Sequence, residues 1–394
     1  MTAHPDLTHA LDAVRRDPDD TAAWRHLGLM IAAHGAPAHL QQAFGYRQAQ
    51  YGDAAEILFR SLFDSDLHGN KLLRDRIVAF ADHCPDDETG AVMRFFAGCI
   101  RLCHDDPVAG AATLNAAATY IAETPAPFET TPHLIKAPVF ARMALPPQDV
   151  SERLGKPNAL QIPAPIPVGK ATPAASDRWV FASCDSRYFA AFADRFFAVA
   201  GTLGPIHLHV VNPTADQQLW MESASAPDRQ FSIEEQETYL TSPYYASNRF
   251  FHLPGLIDRY GSEILMLDID LEALMDIETA LDAMGDADVG YFAMPTVMPW
   301  LRHHAAVIRF RTGPQARRFA DDFQRLLQSM LTGSSWFVDQ MCFLNMVNAE
   351  RMKEKPMKIR GLEAGDGYSF SRFVLPAGED DTKSQLRMQA GLSV

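Results

Sequence analysis

Apolar positions in the first part of the chain recur at helical spacing. Leu7, Leu11 and Val14 form one stripe, Trp24, Leu27 and Ile31 a second, Leu58, Leu62 and Phe63 a third, and Leu73, Ile77 and Phe80 a fourth. Residues three or four apart share a helix face, so each stripe predicts an amphipathic helix. Asp20 or Thr21 is placed to cap the second of them, and polar breaks such as HGAPA and HCPDDE separate its neighbours. Residues 1–124 are therefore expected to form an all-helical domain of paired antiparallel helices. Prolines crowd the next stretch, 125–175, as in TPAPFETTPHLIKAPVF and IPAPIPVGK. Proline fixes φ and removes a donor, which predicts an extended linker.

From residue 176 to 394 the period changes. RWVFASC, PIHLHVVN, EILMLDID, DVGYFAM and AAVIRFR are short β-type runs. SRYFAAFADRFFAVAG, SNRFFHLPGLIDRYG, PQARRFADDFQRLLQSML and WFVDQMCFLNMVNAE carry helical spacing between and after them. Alternation of this kind predicts an α/β domain with a mostly parallel sheet flanked by helices. Such sheets bind their ligands beyond the carboxyl ends of the strands.

The run EILMLDID ends in Asp268 and Asp270. Side chains at i and i+2 of a strand point to the same side, so a strand continued through both would offer paired carboxylates at the sheet's edge. Hard oxygen ligands of this kind suit Mg²⁺ or Mn²⁺, which would offset the charge of a departing diphosphate. The alternative is a strand end whose acids meet only water. A second cluster, Cys99, Cys103 and His104, has metal-ligand residue types on one helix face, but it lies within the stripe Val92, Phe95, Phe96, Ile100, which core packing explains.

Composition bounds the partners. The 394 residues carry a formal charge of −14, which argues against nucleic acid and anionic membrane. A phosphate-bearing ligand would need a metal or a few basic groups. Five cysteines without framework spacing predict reduced thiols in a cytoplasmic setting. The N-terminus MTAHPDLTHALDAVRR lacks the apolar core of a secretory leader, and no run has the length to span a bilayer.

Four motifs in order extend the picture. ASCDSRYFAAF, YYASNRFFHLPGLIDRYGSEILMLDIDL, AAVIRFRTGPQARRFADDF and WFVDQMCFLN, spanning residues 178–348, resemble the GT-A-type nucleotide-sugar glycosyltransferases of the glycogenin and lipopolysaccharide galactosyltransferase family. The resemblance implies a GT-A fold, a metal ion and a nucleotide-sugar donor, UDP-sugar foremost. Haloacid-dehalogenase-like phosphatases also use D-x-D, but on their first strand and with Thr or Val where Glu272 stands here. WRHLG, with Trp24, Leu27 and Gly28, is similar to the opening of a tetratricopeptide repeat, although no clean 34-residue period follows. An irregular helical bundle is the other reading. Either form would offer a surface for a protein partner or a homodimer.

The glycosyltransferase resemblance implies roles. Ala182, Cys184 and Asp185 would form the nucleotide pocket, with Asp185 at the base edge and Tyr188 stacked beside it. Asp185 as a helix cap and Tyr188 as a core residue are the alternatives. Arg249 would bind the diphosphate or donor sugar, Asp268 the ribose and metal, and Asp270 the metal. Asp339 and Gln340 would face the transferred sugar and the acceptor, be it a glycan, a lipid-linked glycan or a protein. His303 and His304 read as surface or acceptor-lining residues in a turn before a strand. The family's late H-x-x-G-x-x-K segment has no counterpart. Lys358, Arg360 or Lys383 could replace its lysine and Asp366 its metal ligand; solvated loop charge is the alternative. A non-catalytic adaptor with a relic transferase domain is the competing function, and a D-x-D phosphatase a third.

Overall fold

The structure is a computed structural model describing residues 5–17, 20, 22–23, 26–27, 30, 71–83, 86, 88–125, 137–156, 160–236, 242–331 and 337–376. It divides into two compact units: residues 1–149 with 295–302, and residues 150–294 with 303–394.

The first unit is helical, with α1 at Pro5–Arg16, α2 at Lys71–Asp82, α3 at Glu88–Ile100, a π-helical turn at Arg101–Asp105, α4 at Pro107–Glu123 and α5 at Ala137–Met143. Leu7, Leu11 and Val14 are buried along α1 as their spacing predicts. Asp106 caps α4 by accepting from the Val108 and Ala109 amides, and Pro107 occupies the first helical position. Glycines set the close approach of α4 to its neighbours. A Cβ on Gly110 would lie 2.4 Å from the Leu102 nitrogen, and one on Gly98 would lie 2.8 Å from the Leu114 nitrogen. Cys99 and Cys103 are buried in this core, and the Cys103 thiol lies 3.3 Å from the Val297 carbonyl, so apolar packing accounts for their spacing. Phe140 stacks on Trp300 with centroids 4.0 Å apart. Trp24 and Gly28, on which the tetratricopeptide likeness rests, lie outside the described residues, as do Leu58, Leu62 and Phe63.

The proline-rich stretch is not extended throughout. It contains α5 and a further helix, α6 at Pro147–Leu154, and the division between units falls at Asp149. Pro147 opens α6, where a missing N–H costs nothing because the first-turn amides have no helical partner.

The second unit carries β1 at Ile166–Val168, β2 at Arg178–Asp185, α7 at Ser186–Ala200, β3 at Ile206–Val211, α8 at Ala215–Ala224, β4 at Arg229–Glu234, α9 at Ser242–Tyr260, β5 at Glu263–Leu267, β6 at Leu271–Leu274, α10 at Ile277–Ala283, β7 at Val289–Ala293, β8 at His303–Phe310, α11 at Pro314–Met330, α12 at Val338–Arg351, β9 at Ile359–Glu363 and β10 at Val374–Pro376. Among the described residues, eight strands form one sheet in the order β1-β4-β3-β2-β5-β8-β7-β9. β4, β3, β2 and β5 run parallel, while β8 is antiparallel to both β5 and β7.

The chain steps outward from β2 through β3 to β4, then returns to place β5 on the other side of β2. This reversal makes the carboxyl ends of β2 and β5 the crevice where an open parallel sheet binds its ligand. One face is sealed by α7, whose Phe189, Phe192 and Phe196 pack with Val180, Ala182, Leu208, Val210 and Leu265. On the other face α9 packs against β2 and β5 and against α11 and α12. The α11 stripe Ala316, Phe319, Phe323, Leu327 and Met330 is buried, as predicted from the 3.6 period.

Candidate active site at the carboxyl edge of the sheet

The Asp-Ile-Asp stretch is a turn, not a strand end. β5 stops at Leu267, the Asp268 amide donates to the Ala306 carbonyl at 3.0 Å, and the chain restarts as β6 at Leu271, which pairs antiparallel with β10. Ile269 is buried in the core, so it pins the turn while Asp268 and Asp270 flank it. The strand expected to continue through both aspartates therefore ends before the first of them.

Arg249, on α9, organises the cluster. It is buried, and its guanidinium pairs with Asp268 through Nη1 while Nη2 stands 4.0 Å from Asp339 Oδ2. Burial lowers the Arg249 pKa, opposed by the charges of Asp339 and Asp270. Asp339 lies in the first turn of α12 and is buried. Burial raises its pKa, and Arg249 offsets part of that rise. Phe337, immediately before α12, has φ of 74°. A bulky residue in the left-handed region costs about 1–3 kcal/mol, so packing must hold the turn that presents Asp339.

His304 completes the group. It belongs to β8 rather than to a turn, and its ring stacks on Phe370 at 3.7 Å. Burial and then Arg249 lower its pKa to about 4, against the pull of Asp270. It is therefore neutral at physiological pH. Its Nδ1 lies 3.2 Å from the Ala306 amide and accepts from it, which leaves the proton on Nε2. In that tautomer His304 offers the site a donor rather than a metal-binding lone pair. His303 is buried against Tyr291 and Phe343.

Asp268, Asp270 and Asp339 bring three carboxylates to one arginine and one neutral imidazole, and Asp268 keeps a second oxygen beyond the one paired with Arg249. Among the described residues these carboxylates do not form a group of three whose ligand atoms all lie within 4.8 Å of one another; that arrangement occurs at His209, Glu234 and His252. Carboxylate oxygens are the ligand type that Mg²⁺ or Mn²⁺ takes.

Other residues singled out from sequence make contacts of their own. Asp185, at the end of β2, caps α7: Oδ1 accepts from the Arg187 and Tyr188 amides at 3.0 and 2.8 Å, and Oδ2 pairs with the Arg187 guanidinium at 3.0 Å. The helix-cap use left open by the sequence is the one the side chain makes. Ala182 and Cys184 are buried in the layer beneath α7, where burial pushes the Cys184 thiol up. Tyr188 packs against that layer, 5.4 Å from Phe192. Gln340 is half-buried beside Asp339. Lys358 pairs with Asp286 on the surface, and Arg360 stands 3.8 Å from Asp366, both partners exposed. These charges are solvated, with Arg360 on β9 rather than in a loop; Lys383 lies outside the described residues.

No family model and no curated protein matches the chain. No helix among the described residues is long and apolar enough to cross a membrane. Among solved structures, the apo form of mouse xyloside xylosyltransferase 1 is similar over 48% of this chain and 85% of its own, at 12% identity and a TM-score of 0.30. A likeness of that size carries no argument about activity, and the functional reading stands on the residues themselves.

Proposed function

We propose that the α/β unit is a metal-dependent glycosyltransferase that moves a sugar from a nucleotide-diphosphate donor, UDP-sugar foremost, to a hydroxyl-bearing acceptor. The observation that carries it is the position of the acidic turn: Asp268 and Asp270 follow β5, one of the two strands at the sheet's reversal, with Arg249 and Asp339 around them. Asp268 and Asp270 would hold Mn²⁺ or Mg²⁺, which when bound supplies positive charge to the leaving diphosphate. Arg249 orients a phosphate oxygen or a donor-sugar hydroxyl with its planar fork. Asp339 and Gln340 position the sugar and acceptor and stabilise positive charge developing at the anomeric carbon. That carbon's bond to the diphosphate oxygen breaks as its bond to the acceptor oxygen forms, and the acceptor's proton passes to the departing phosphate. No protein base is required. The helical unit would recruit the acceptor or a protein partner.

The ion pair between Arg249 and Asp268 favours a second reading, an adaptor whose transferase-like unit no longer turns over, because the guanidinium takes an oxygen a metal would use. Calorimetry with UDP and Mn²⁺, followed by an assay for metal-dependent release of UDP from UDP-sugars, separates the two. Binding that Asp270→Asn abolishes, with UDP release, supports the enzyme. Binding without release supports the adaptor. Absence of binding to the wild type refutes the first reading.

A further inference from the structure

A second cluster of chemistry-bearing side chains lies within the same unit, away from the acidic turn. β3 reads Ile-His-Leu-His-Val-Val, and its alternation sends Leu208 and Val210 to the layer under α7. His207 and His209 therefore occupy the opposite face, where both are buried. The neighbouring strand β4 is polar on that same face, with Ser232 in register with His209 and Glu234 in register with Val211. α9 contributes His252, Asn248 and Tyr244, which reach Glu234 from above.

The seam is hydrogen-bonded almost to completion. Ser232 Oγ lies 2.7 Å from His207 Nε2 and 2.9 Å from His209 Nδ1, and Tyr260 closes the outer end, 2.6 Å from His207 Nδ1. Glu234 Oε1 accepts from Tyr244 and Gln236, and Oε2 accepts from Asn248 at 3.2 Å. His252 Nε2 is 3.0 Å from Oε2. One atom is left over. His209 Nε2 has no hydrogen-bond partner, although the residue is wholly buried, and it points at Glu234 Oε2 from 3.8 Å. An orphaned buried polar atom costs about 1–3 kcal/mol, and such atoms are rare in native proteins.

His209, Glu234 and His252 each offer a ligand atom within 4.8 Å of the others. Bonds of about 2.0–2.1 Å at tetrahedral angles separate ligand atoms by roughly 3.4 Å, and the two measured separations, 3.0 and 3.8 Å, straddle that distance. On these two edges of the triangle, shifts of a few tenths of an ångström would seat an ion. The surroundings have the form metal sites need: Ser232 holds the remote nitrogen of His209, while Tyr244, Gln236 and Asn248 hold the carboxylate.

We propose that His209, Glu234 and His252 bind a Zn²⁺ ion that fastens α9 to β3 and β4. Two imidazoles and a carboxylate select zinc or a similar transition ion over the hard cations that suit the all-oxygen acidic turn. The fourth position falls to water or another small ligand. The ion is separate from the one proposed at Asp268 and Asp270, and this site does not depend on the transferase reading.

The test uses the full chain expressed in zinc-supplemented medium and purified without chelators. Elemental analysis is expected to find about one zinc per chain, retained in Asp270→Asn and reduced at least about tenfold in His209→Phe and in His252→Gln. Replacing zinc by Co²⁺ in the wild type is expected to give the intense visible bands of a four-coordinate ion, a readout needing no variant. Added Zn²⁺ should raise the melting temperature of stripped wild type and leave His209→Phe unmoved. Wild type that holds less than about a tenth of an equivalent, gives no cobalt bands and melts alike with and without Zn²⁺ overturns the proposal. So does metal that His209→Phe keeps and Asp270→Asn loses.

Discussion

Replacing Arg249 by methionine removes a cation from the acidic cluster while keeping the length and apolar body of the side chain. Breaking a buried ion pair from one side costs about 3–5 kcal/mol, because the surviving charge stays desolvated. Asp268 is 34% exposed and can rehydrate, whereas Asp339 is 8% exposed and cannot. The loss should therefore fall at the lower end, about 3 kcal/mol near pH 7. Its pH dependence identifies the residue responsible. Burial already raises the Asp339 pKa, and Arg249 holds it down; without Arg249 it rises further. A carboxyl whose folded pKa exceeds its unfolded value stabilises fully below the unfolded value and loses that contribution as pH rises through the folded one. The deficit of Arg249→Met relative to wild type should thus be small near pH 4 and grow toward neutrality. Urea unfolding of both proteins, followed by circular dichroism across that range, measures it. Arg249→Met with Asp339→Asn should recover at least about 1 kcal/mol. A deficit under about 0.5 kcal/mol at pH 7, or one unchanged near pH 4, would refute the assignment of Arg249 as the counter-ion of Asp339.

Other outcomes follow from the same contacts. Asp270→Asn should weaken Mn²⁺ binding at least about tenfold by calorimetry while leaving the melting temperature within a few degrees. Gly110→Ala should destabilise the helical unit by about 1–3 kcal/mol, since its Cβ would meet Leu102 backbone at 2.4 Å, whereas Gly255→Ala, with open space at its Cβ, should be neutral or stabilising in a melting scan. Phe196→Ala, at the centre of the α7 layer, should cost about 3–5 kcal/mol in urea unfolding. In metal-stripped protein, His209 is held at about 4 by burial, then by His252. The folded state then binds fewer protons than the unfolded one between that value and about 6.5, so stability should fall by up to roughly 3 kcal/mol as pH drops through this window, and His209→Phe should lose that slope.

Elements whose burial is one-sided and apolar were legible in the sequence. The α7 and α11 stripes and the β2, β3 and β5 runs stand where their periods place them, because one face of each meets a hydrophobic layer. β4 was not legible: Gln230, Ser232 and Glu234 break its apolar pattern because they line the polar seam under α9, while Arg229, on the other face, lies over the Phe197 ring of α7. The H-x-H spacing of β3 carried the matching signal, two histidines on one strand face, and passed for an ordinary strand. Arg249, Asp268, Asp270 and Asp339 were all named from the motifs. Their ion pairing was not, since residues 249, 268 and 339 meet only through the packing of α9 and α12. Asp185 shows the converse: a local motif, an acid before a helix, is satisfied locally by the cap.

Arg249 and His252 sit three residues apart on α9, about 4.5 Å along its axis. One grips the carboxylates at the end of β5, the other the carboxylate at the end of β4. The helix is therefore held at two points, through a guanidinium at one and an imidazole at the other. A ligand that draws Asp268 away from its arginine and one that binds Glu234 would thus act on the same helix. Whatever factor one event imposes on the other's equilibrium, thermodynamics returns it in equal measure.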